Sequence, residues 1–314
     1  GQPYELYVQQ QILAPLGMVR STTMRPDAPT DLATGYRSWF GYPVPFTQWY
    51  AHATLPSGNL ISTAEEMTHY LIAQLNGGRY GGQQILSAQG ISAMHEPAVA
   101  EGRADRYYGM DWINRPLNGI PVVRHDGTSA NYYADIVLDP AGRWGVVILL
   151  NFNSFHLYGG RIQALTSGIM NLLHGQPPPV LPAMHHPILY PLLLIVVGGT
   201  EALLLWMVYT ARVWRRWQLD PTGRPAGWRH RWAMVIRVVL PLLWALLLLW
   251  LVPQLTYPLA VLRINLPDFG YTVLTSGVVA VLCGISWGIV ILVDACRSAR
   301  TASSTDAAAM IVNA

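Results

Sequence analysis

The sequence predicts an α+β domain, an antiparallel sheet with helices, followed by three transmembrane α-helices. Three observations carry that prediction. Residues 1–187 hold ten Arg against twelve Asp and Glu with turn residues throughout, whereas residues 188–314 hold ten Arg against five acids. The second part contains three mostly apolar runs of about 20 residues, the length that crosses a ~30 Å hydrocarbon core at ~1.5 Å per residue. In the first part helical periodicity comes early, and strand periodicity takes over from Tyr107 onward.

Tyr4, Val8 and Ile12 recur at helical spacing and stop at Pro15, which predicts an amphipathic helix over residues 3–13. Residues 19–60, dense in Pro, Gly, Thr and aromatics, read as a long irregular excursion of the kind that lines a site. Thr63 followed by Glu66 is a capping box, and Met67, Tyr70, Leu71 and Leu75 supply an apolar face, so residues 63–76 form a helix. A shorter helix is expected over Ser87–Met94. Tyr107–Asn114 and Ile120–His125 read as strands joined by an Asn118-Gly119 hairpin. Asn131–Leu138 and Trp144–Asn151 form a second hairpin around Asp139-Pro140-Ala141-Gly142, and a helix over Leu157–Leu173 follows.

The domain is therefore placed at residues 1–175, a stiff proline-rich linker at 176–187, and a membrane region at 188–314 with helices near 188–210, 233–252 and 271–293. Between the first two helices lie Arg212, Arg215, Arg216, Arg224, Arg229 and Arg231 against one acid, Asp220. Arginine-rich short loops stay in the cytoplasm. That places loop 211–232 and the C-terminus inside and the globular domain outside. Trp214, Trp217, Trp228 and Trp232 near the inner ends, with Tyr190 and Tyr271 at the outer ends, suit interfacial anchors. Glu201 and Arg237 sit at depths that overlap if the arginine stem extends, which predicts an ion pair. Ser276, Ala280, Gly284 and Gly288 form a small-residue stripe expected to pack inside the three-helix unit.

Composition also excludes. The net charge of +3 comes from the membrane part, so no nucleic-acid partner is expected; the bilayer itself is the expected partner. All twenty basic residues are Arg, and no Lys is present. Cys283 and Cys296 are thirteen positions apart on one helix and cannot bridge each other there. No zinc spacing or phosphate-cradling loop occurs, and His185-His186 has no third ligand nearby, so neither metal nor cofactor is expected. The chain opens on Gly1 with no signal segment, and sequence upstream is expected.

Several segments, in order, resemble the serine β-lactamase-related family of class C β-lactamases, penicillin-binding proteins, D-Ala-D-Ala peptidases and esterases. They are Gly1-Gln2-Pro3-Tyr4 running into Pro15-Leu16-Gly17-Met18; Pro56-Ser57-Gly58-Asn59-Leu60-Ile61-Ser62-Thr63-Ala64 before the helix ending Leu75-Asn76-Gly77-Gly78; Tyr108-Gly109-Met110-Asp111-Trp112; and His125-Asp126-Gly127 before the hairpin ending at Asn151. The resemblance implies a partial β-lactamase/transpeptidase-like fold. It also implies a membrane-tethered serine hydrolase acting outside the cytoplasm on a small peptide or ester, including D-amino-acid peptides of the cell wall. In that family a Ser-x-x-Lys and a Tyr-x-Asn precede the Pro-Leu-Gly-Met helix; neither occurs in these 314 residues, so this stretch alone is expected to be inactive. Ser129-Ala130-Asn131 matches Ser-x-Asn by letter but follows the third motif, and is read as coincidence.

The third motif, Lys-Thr-Gly or His-x-Gly in the family, corresponds to His125-Asp126-Gly127. By resemblance, His125 meets a substrate carboxylate or assists proton transfer, Gly127 lets backbone approach the substrate, and the amide of Thr128 is one oxyanion-hole donor. Asp126 departs from the family's Thr; it is expected to face substrate and to repel a penicillin-like carboxylate, which favours a peptidase or esterase. The alternative is a catalytically inactive hydrolase-like membrane protein that binds a ligand or partner.

Overall fold

A computed structural model describes residues 1–24, 30–48, 52–100, 102, 105–181, 186–218 and 228–312, with side chains of 155–159, 186–189, 214–218, 228–231 and 298–312 left aside. The chain divides into two compact units, Gly1–His185 and His186–Ala314.

The first unit opens on α1 (Tyr4–Val8), which continues as a π-helical turn, Gln9–Leu13. The residues that follow are held by Glu66. Its buried carboxylate accepts the Arg20 amide at 2.8 Å and the Ser21 hydroxyl at 2.6 Å, and Thr22 bridges Ile61. A short hairpin comes next, β1 (Tyr36–Trp39) and β2 (Tyr42–Pro45). Then α2 (Ala64–Leu75) starts at Thr63, whose hydroxyl accepts the Glu66 amide at 3.1 Å. Only half of the expected capping box forms, because Glu66 is spent on Arg20 and Ser21.

Beyond α2 lie a small hairpin, β3 (Arg79–Tyr80) and β4 (Gln83–Gln84), and α3 (Ala88–His95), capped by Ser87. The main sheet then builds from β5 (Val99–Ala100), β6 (Tyr107–Tyr108), β7 (Ile113–Asn114), β8 (Val123–Thr128), β9 (Tyr133–Asp139) and β10 (Trp144–Leu150) in the antiparallel order β10-β9-β8-β7-β6-β5. β11 (Phe152–Asn153) turns away to pair in parallel with β1. The Asn118-Gly119 turn forms as expected, with φ of 50° and 85° and mutual hydrogen bonds of 2.9 Å between Leu117 and Ile120. α4 (Phe155–Leu173) closes the unit.

Helices cover both faces of the sheet. On one face Leu71, Tyr70 and Leu75 of α2 pack with Trp112, Val123, Ile136 and Leu138. A Cβ at Gly145 would sit 3.2 Å from Leu71, so the helix lies close against β10. On the other face Met170 and Leu173 of α4 pack with Leu117, Ile120, Val122 and Val137. The proline segment after α4 folds back: the Asn171 side chain donates to the Pro177 carbonyl at 2.8 Å, and the Gln176 amide to the Asn171 carbonyl at 2.8 Å. Its first residues are thus pinned to the end of α4, and residues 182–185 of the expected linker lie outside the described residues.

The second unit contains α5 (His186–Gln218), α6 (Trp228–Leu246) followed by a π-helical turn, α7 (Val252–Leu255), α8 (Leu259–Asn265) and α9 (Pro267–Val312). Three segments, Tyr190–Val213, Trp232–Leu255 and Pro267–Arg297, are long and apolar enough to cross a membrane. They pack on Leu203, Ala245 and Ala280. Small residues permit the contact: a Cβ at Gly199 would lie 2.6 Å from the Trp244 ring, and one at Gly284 2.8 Å from Leu242. Ser276 and Ala280 are buried, so the stripe on α9 does pack within the unit, except at Gly288, where a Cβ would meet nothing within 4 Å.

The expected Glu201–Arg237 pair does not form. Arg237 is buried with its guanidinium carbon 5.1 Å from the Trp287 ring centroid, while Glu201 is exposed and makes no ion pair among the described residues. Glu201 lies on the exposed face of α5, and the Trp244–Thr200 hydrogen bond sets Trp244 at its level, which leaves Arg237 about 10 Å along α6 at ~1.5 Å per residue.

Candidate active site

The site is assembled where β8 loses its neighbour. β8 pairs with β9 along its whole length, Val123↔Leu138 to Thr128↔Tyr133, but with β7 only at Val123 and Arg124. Residues 125–128 therefore present an unpaired strand edge among the described residues, which is a template for an extended peptide.

The turn between β6 and β7 points at that edge. Gly109 has to be glycine, because a Cβ there would lie 2.7 Å from the Glu96 carbonyl oxygen and 2.8 Å from that of Met94. The Gly109 amide donates to the Trp112 carbonyl at 2.7 Å, and the Met110 amide to Met94 at 3.1 Å. This tight path puts Asp111 in the left-handed region, φ 62°, and brings its carboxylate back over Tyr108. The Tyr108 hydroxyl donates to Asp111 Oδ1 at 2.7 Å and lies 3.1 Å from His125 Nε2, which is itself 3.4 Å from Asp111 Oδ1. With its proton on Asp111, the tyrosine oxygen accepts the Nε2–H of His125. Nδ1 of His125 has no hydrogen bond among the described residues, which leaves its lone pair for chemistry.

Successive side chains on a strand alternate between faces. His125 and Gly127 share the α2 face with Val123. A Cβ at Gly127 would meet only the Ala134 methyl, at 3.8 Å, so no packing demand requires glycine and the space above it is open. Asp126 lies on the opposite face, across from Asp135 and 4.0 Å from Arg124 Nη2. It therefore does not share a face with His125 and Gly127. Thr128 closes the ladder opposite Tyr133 and is exposed.

Beneath the α4 face runs a buried polar cluster that fixes β8. Arg124 Nη2 meets Asp135 Oδ2 at 2.8 Å, and the Thr166 hydroxyl of α4 donates to the same oxygen at 2.6 Å. Burial pushes the Asp135 carboxyl up from its ordinary value against the pull of Arg124, and burial likewise pushes the Tyr133 hydroxyl up. The end of β8 is latched to the β1–β2 excursion. Asn131 donates to the Phe46 carbonyl and Tyr132 to that of Ala33, both at 2.6 Å, and the Ala130 amide donates to Gln48 at 3.0 Å. A Cβ at Gly35 would strike Asn131 Nδ2 at 2.2 Å. Ser129 and Asn131, the Ser-x-Asn letter match, are thus engaged in holding this turn, the Ser129 hydroxyl accepting the Tyr132 amide at 3.0 Å.

Behind the site, His95 is 2.9 Å from Gln74 and edge-on to Trp112, and burial lowers its pKa. Among the described residues no group of three His, Cys, Asp or Glu could hold a metal ion; His185 and the side chain of His186 lie outside them.

Residues 1–165 match the family profile described as Beta-lactamase. The chain belongs to the beta-lactamase family. A human beta-lactamase-like protein is 32% identical over 154 residues, covering 47% of this chain and 29% of that protein. Beta-lactamase-like protein 2 of Dictyostelium discoideum is 32% identical over 142 residues, 43% and 24% of the two chains. Protein flp of Staphylococcus aureus strain MW2 is 27% identical over 155 residues, 49% and 30%. The match thus spans less than a third of the length of these relatives. An octameric penicillin-binding protein homologue from Pyrococcus abyssi aligns with a TM-score of 0.46 at 26% identity, over 56% of this chain and 38% of that one. A class C beta-lactamase aligns with a TM-score of 0.40 at 19% identity, over 48% and 46%. The beta-lactamase match covers β8 and the β6–β7 turn, so Tyr108, Asp111 and His125 all fall inside it. Tyr108 and Asp111 carried no role in the sequence reading, although the motif containing them was the signal that could have found them.

Proposed function

We propose that this chain supplies the substrate-facing strand of a membrane-tethered serine hydrolase that acts outside the cytoplasm on amide or ester bonds, cell-wall D-amino-acid peptides among them. The observation that carries the reading is the Tyr108–Asp111–His125 cluster at the unpaired edge of β8. An extended substrate lies along residues 125–128 as an added strand, with Gly127 leaving room for it. Asp111 holds the Tyr108 proton, Tyr108 holds Nε2–H of His125, and Nδ1 meets the substrate: as acceptor it takes a proton in acyl transfer, and as imidazolium it binds a carboxylate. The Thr128 amide is one oxyanion donor by family resemblance. With Asp126 on the other face, its charge gives no reason to disfavour a carboxylate-bearing substrate. The nucleophile and its base come from Ser-x-x-Lys and Tyr-x-Asn motifs that these 314 residues do not contain. The three apolar helices tether the domain, and the Arg-rich connection between the first two lies in the cytoplasm.

Activity-based labelling tests the reading. In native membranes a fluorophosphonate probe and a fluorescent penicillin label the protein detected by an antibody to residues 1–175, and His125→Ala slows that labelling, whereas the purified 314-residue chain takes no label. Absence of label on the native protein with both probes refutes the hydrolase reading.

A further inference from the structure

Helix α5 has two faces at heptad spacing. Leu193, Val196, Thr200, Leu203 and Thr210 are buried in the three-helix unit, and Trp244 donates to the Thr200 hydroxyl at 3.1 Å. On the opposite face Leu194, Gly198, Glu201, Leu205 and Val208 recur at intervals of four and three, and every one is exposed. Apolar side chains there face hydrocarbon comfortably; Glu201 does not. It is the twelfth of the 24 residues of the Tyr190–Val213 segment, about 17 Å from its start at ~1.5 Å per residue, so its carboxyl stands near the bilayer midplane, where ionisable groups turn to a protein partner. Gly198, one turn earlier on the same face, has nothing within 4 Å of the position a Cβ would take, so another backbone can approach there.

We propose that two copies of this chain pair in the membrane through this outer face of α5, with the two Glu201 carboxyls hydrogen-bonded to each other across a twofold axis. The inference rests on the membrane-spanning reading of the apolar helices. A second copy fits this face because the seam offers no cation: Arg237, a basic residue within the apolar segments, is buried against Trp287. A neutral carboxyl carries one O–H donor and one carbonyl acceptor, so two of them satisfy each other when the same patch meets itself. The open Gly198 positions let the helices come close enough for that contact, and Leu194, Leu205 and Val208 fill the seam on either side.

Association of the full chain in phosphatidylcholine vesicles, measured by energy transfer between labelled copies, tests the pairing. Wild type pairs, Glu201→Gln retains pairing because the amide also donates and accepts, and Glu201→Leu and Gly198→Ile each weaken it at least tenfold. Gly288→Ile, on an open position of α9, leaves it unchanged, and circular dichroism verifies that each variant keeps its helices. A membrane-embedded wild type that stays monomeric, or pairing that survives both Glu201→Leu and Gly198→Ile, overturns the inference alone. Recovery of the chain in the soluble fraction after alkaline carbonate extraction overturns the membrane reading and the pairing with it.

Discussion

Arg124→Met isolates what holds strand β8 of the candidate site in place. Arg124 is 6% exposed and Asp135 1%, and the pair is closed by a 2.8 Å contact with Thr166 donating to the same carboxylate oxygen. Methionine keeps the stem's packing volume and removes the cation, leaving Asp135 buried without its counter-ion and Asp126 without its neighbour at 4.0 Å. Breaking a buried pair from one side costs about 3–5 kcal/mol. The assay is denaturant unfolding of the full chain in detergent, followed by tryptophan emission, because Trp112 sits in the adjoining core. Burial already holds the Asp135 pKa above its unfolded value, so the folded state takes up that proton more readily than the unfolded chain. Loss of Arg124 therefore weighs most above the folded pKa and is relieved as pH falls through it toward the unfolded value near ~3.9. Arg124→Met with Asp135→Leu recovers most of the loss. A single variant within about 1 kcal/mol of wild type, at neutral pH, would refute the claim that this pair fixes β8.

Other predictions are independent of that cluster. Gly127→Ala leaves stability unchanged or raises it by up to about 1 kcal/mol, since a Cβ there meets only Ala134 and glycine is entropically costly in a strand; yet it lowers hydrolysis by blocking the substrate's approach, a split read by thermal unfolding beside turnover. Glu66→Ala costs about 1–3 kcal/mol by stranding the Arg20 amide and leaving the Ser21 hydroxyl only Ser62 as a partner, measured by denaturant midpoint. Burial lowers the His95 pKa below its unfolded value near ~6.5; the unfolded chain therefore takes the proton first, stability falls as pH drops from that value toward the folded pKa, and His95→Gln flattens the decline in unfolding midpoints between pH 7.5 and 5.

What the sequence reveals and what it hides divide along physical lines. Asn118-Gly119 and the Thr63 cap are local, and both form as their chemistry dictates. Glu66 was misassigned because its partners, Arg20 and Ser21, are distant in sequence. The Tyr108–His125 contact depends on Gly109 touching the end of α3, a tertiary approach that no periodicity encodes. The face of Asp126 was legible all along: in a strand where His125 looks one way, its neighbour looks the other. Glu201 repeats the lesson on a helix, since depth alone paired it with Arg237 whereas the period of α5 places it opposite the packed residues Thr200 and Leu203.

The most direct test of the account compares two adjacent residues on opposite faces. In the protein assayed in its native membrane with an ester or D-amino-acid peptide substrate, His125→Ala lowers kcat/KM by about 100-fold or more, the scale of a positioned acid–base group, and Asp126→Asn changes it less than threefold. Equal losses, or a loss confined to Asp126→Asn, would contradict the assignment of the α2 face of β8 as the substrate side.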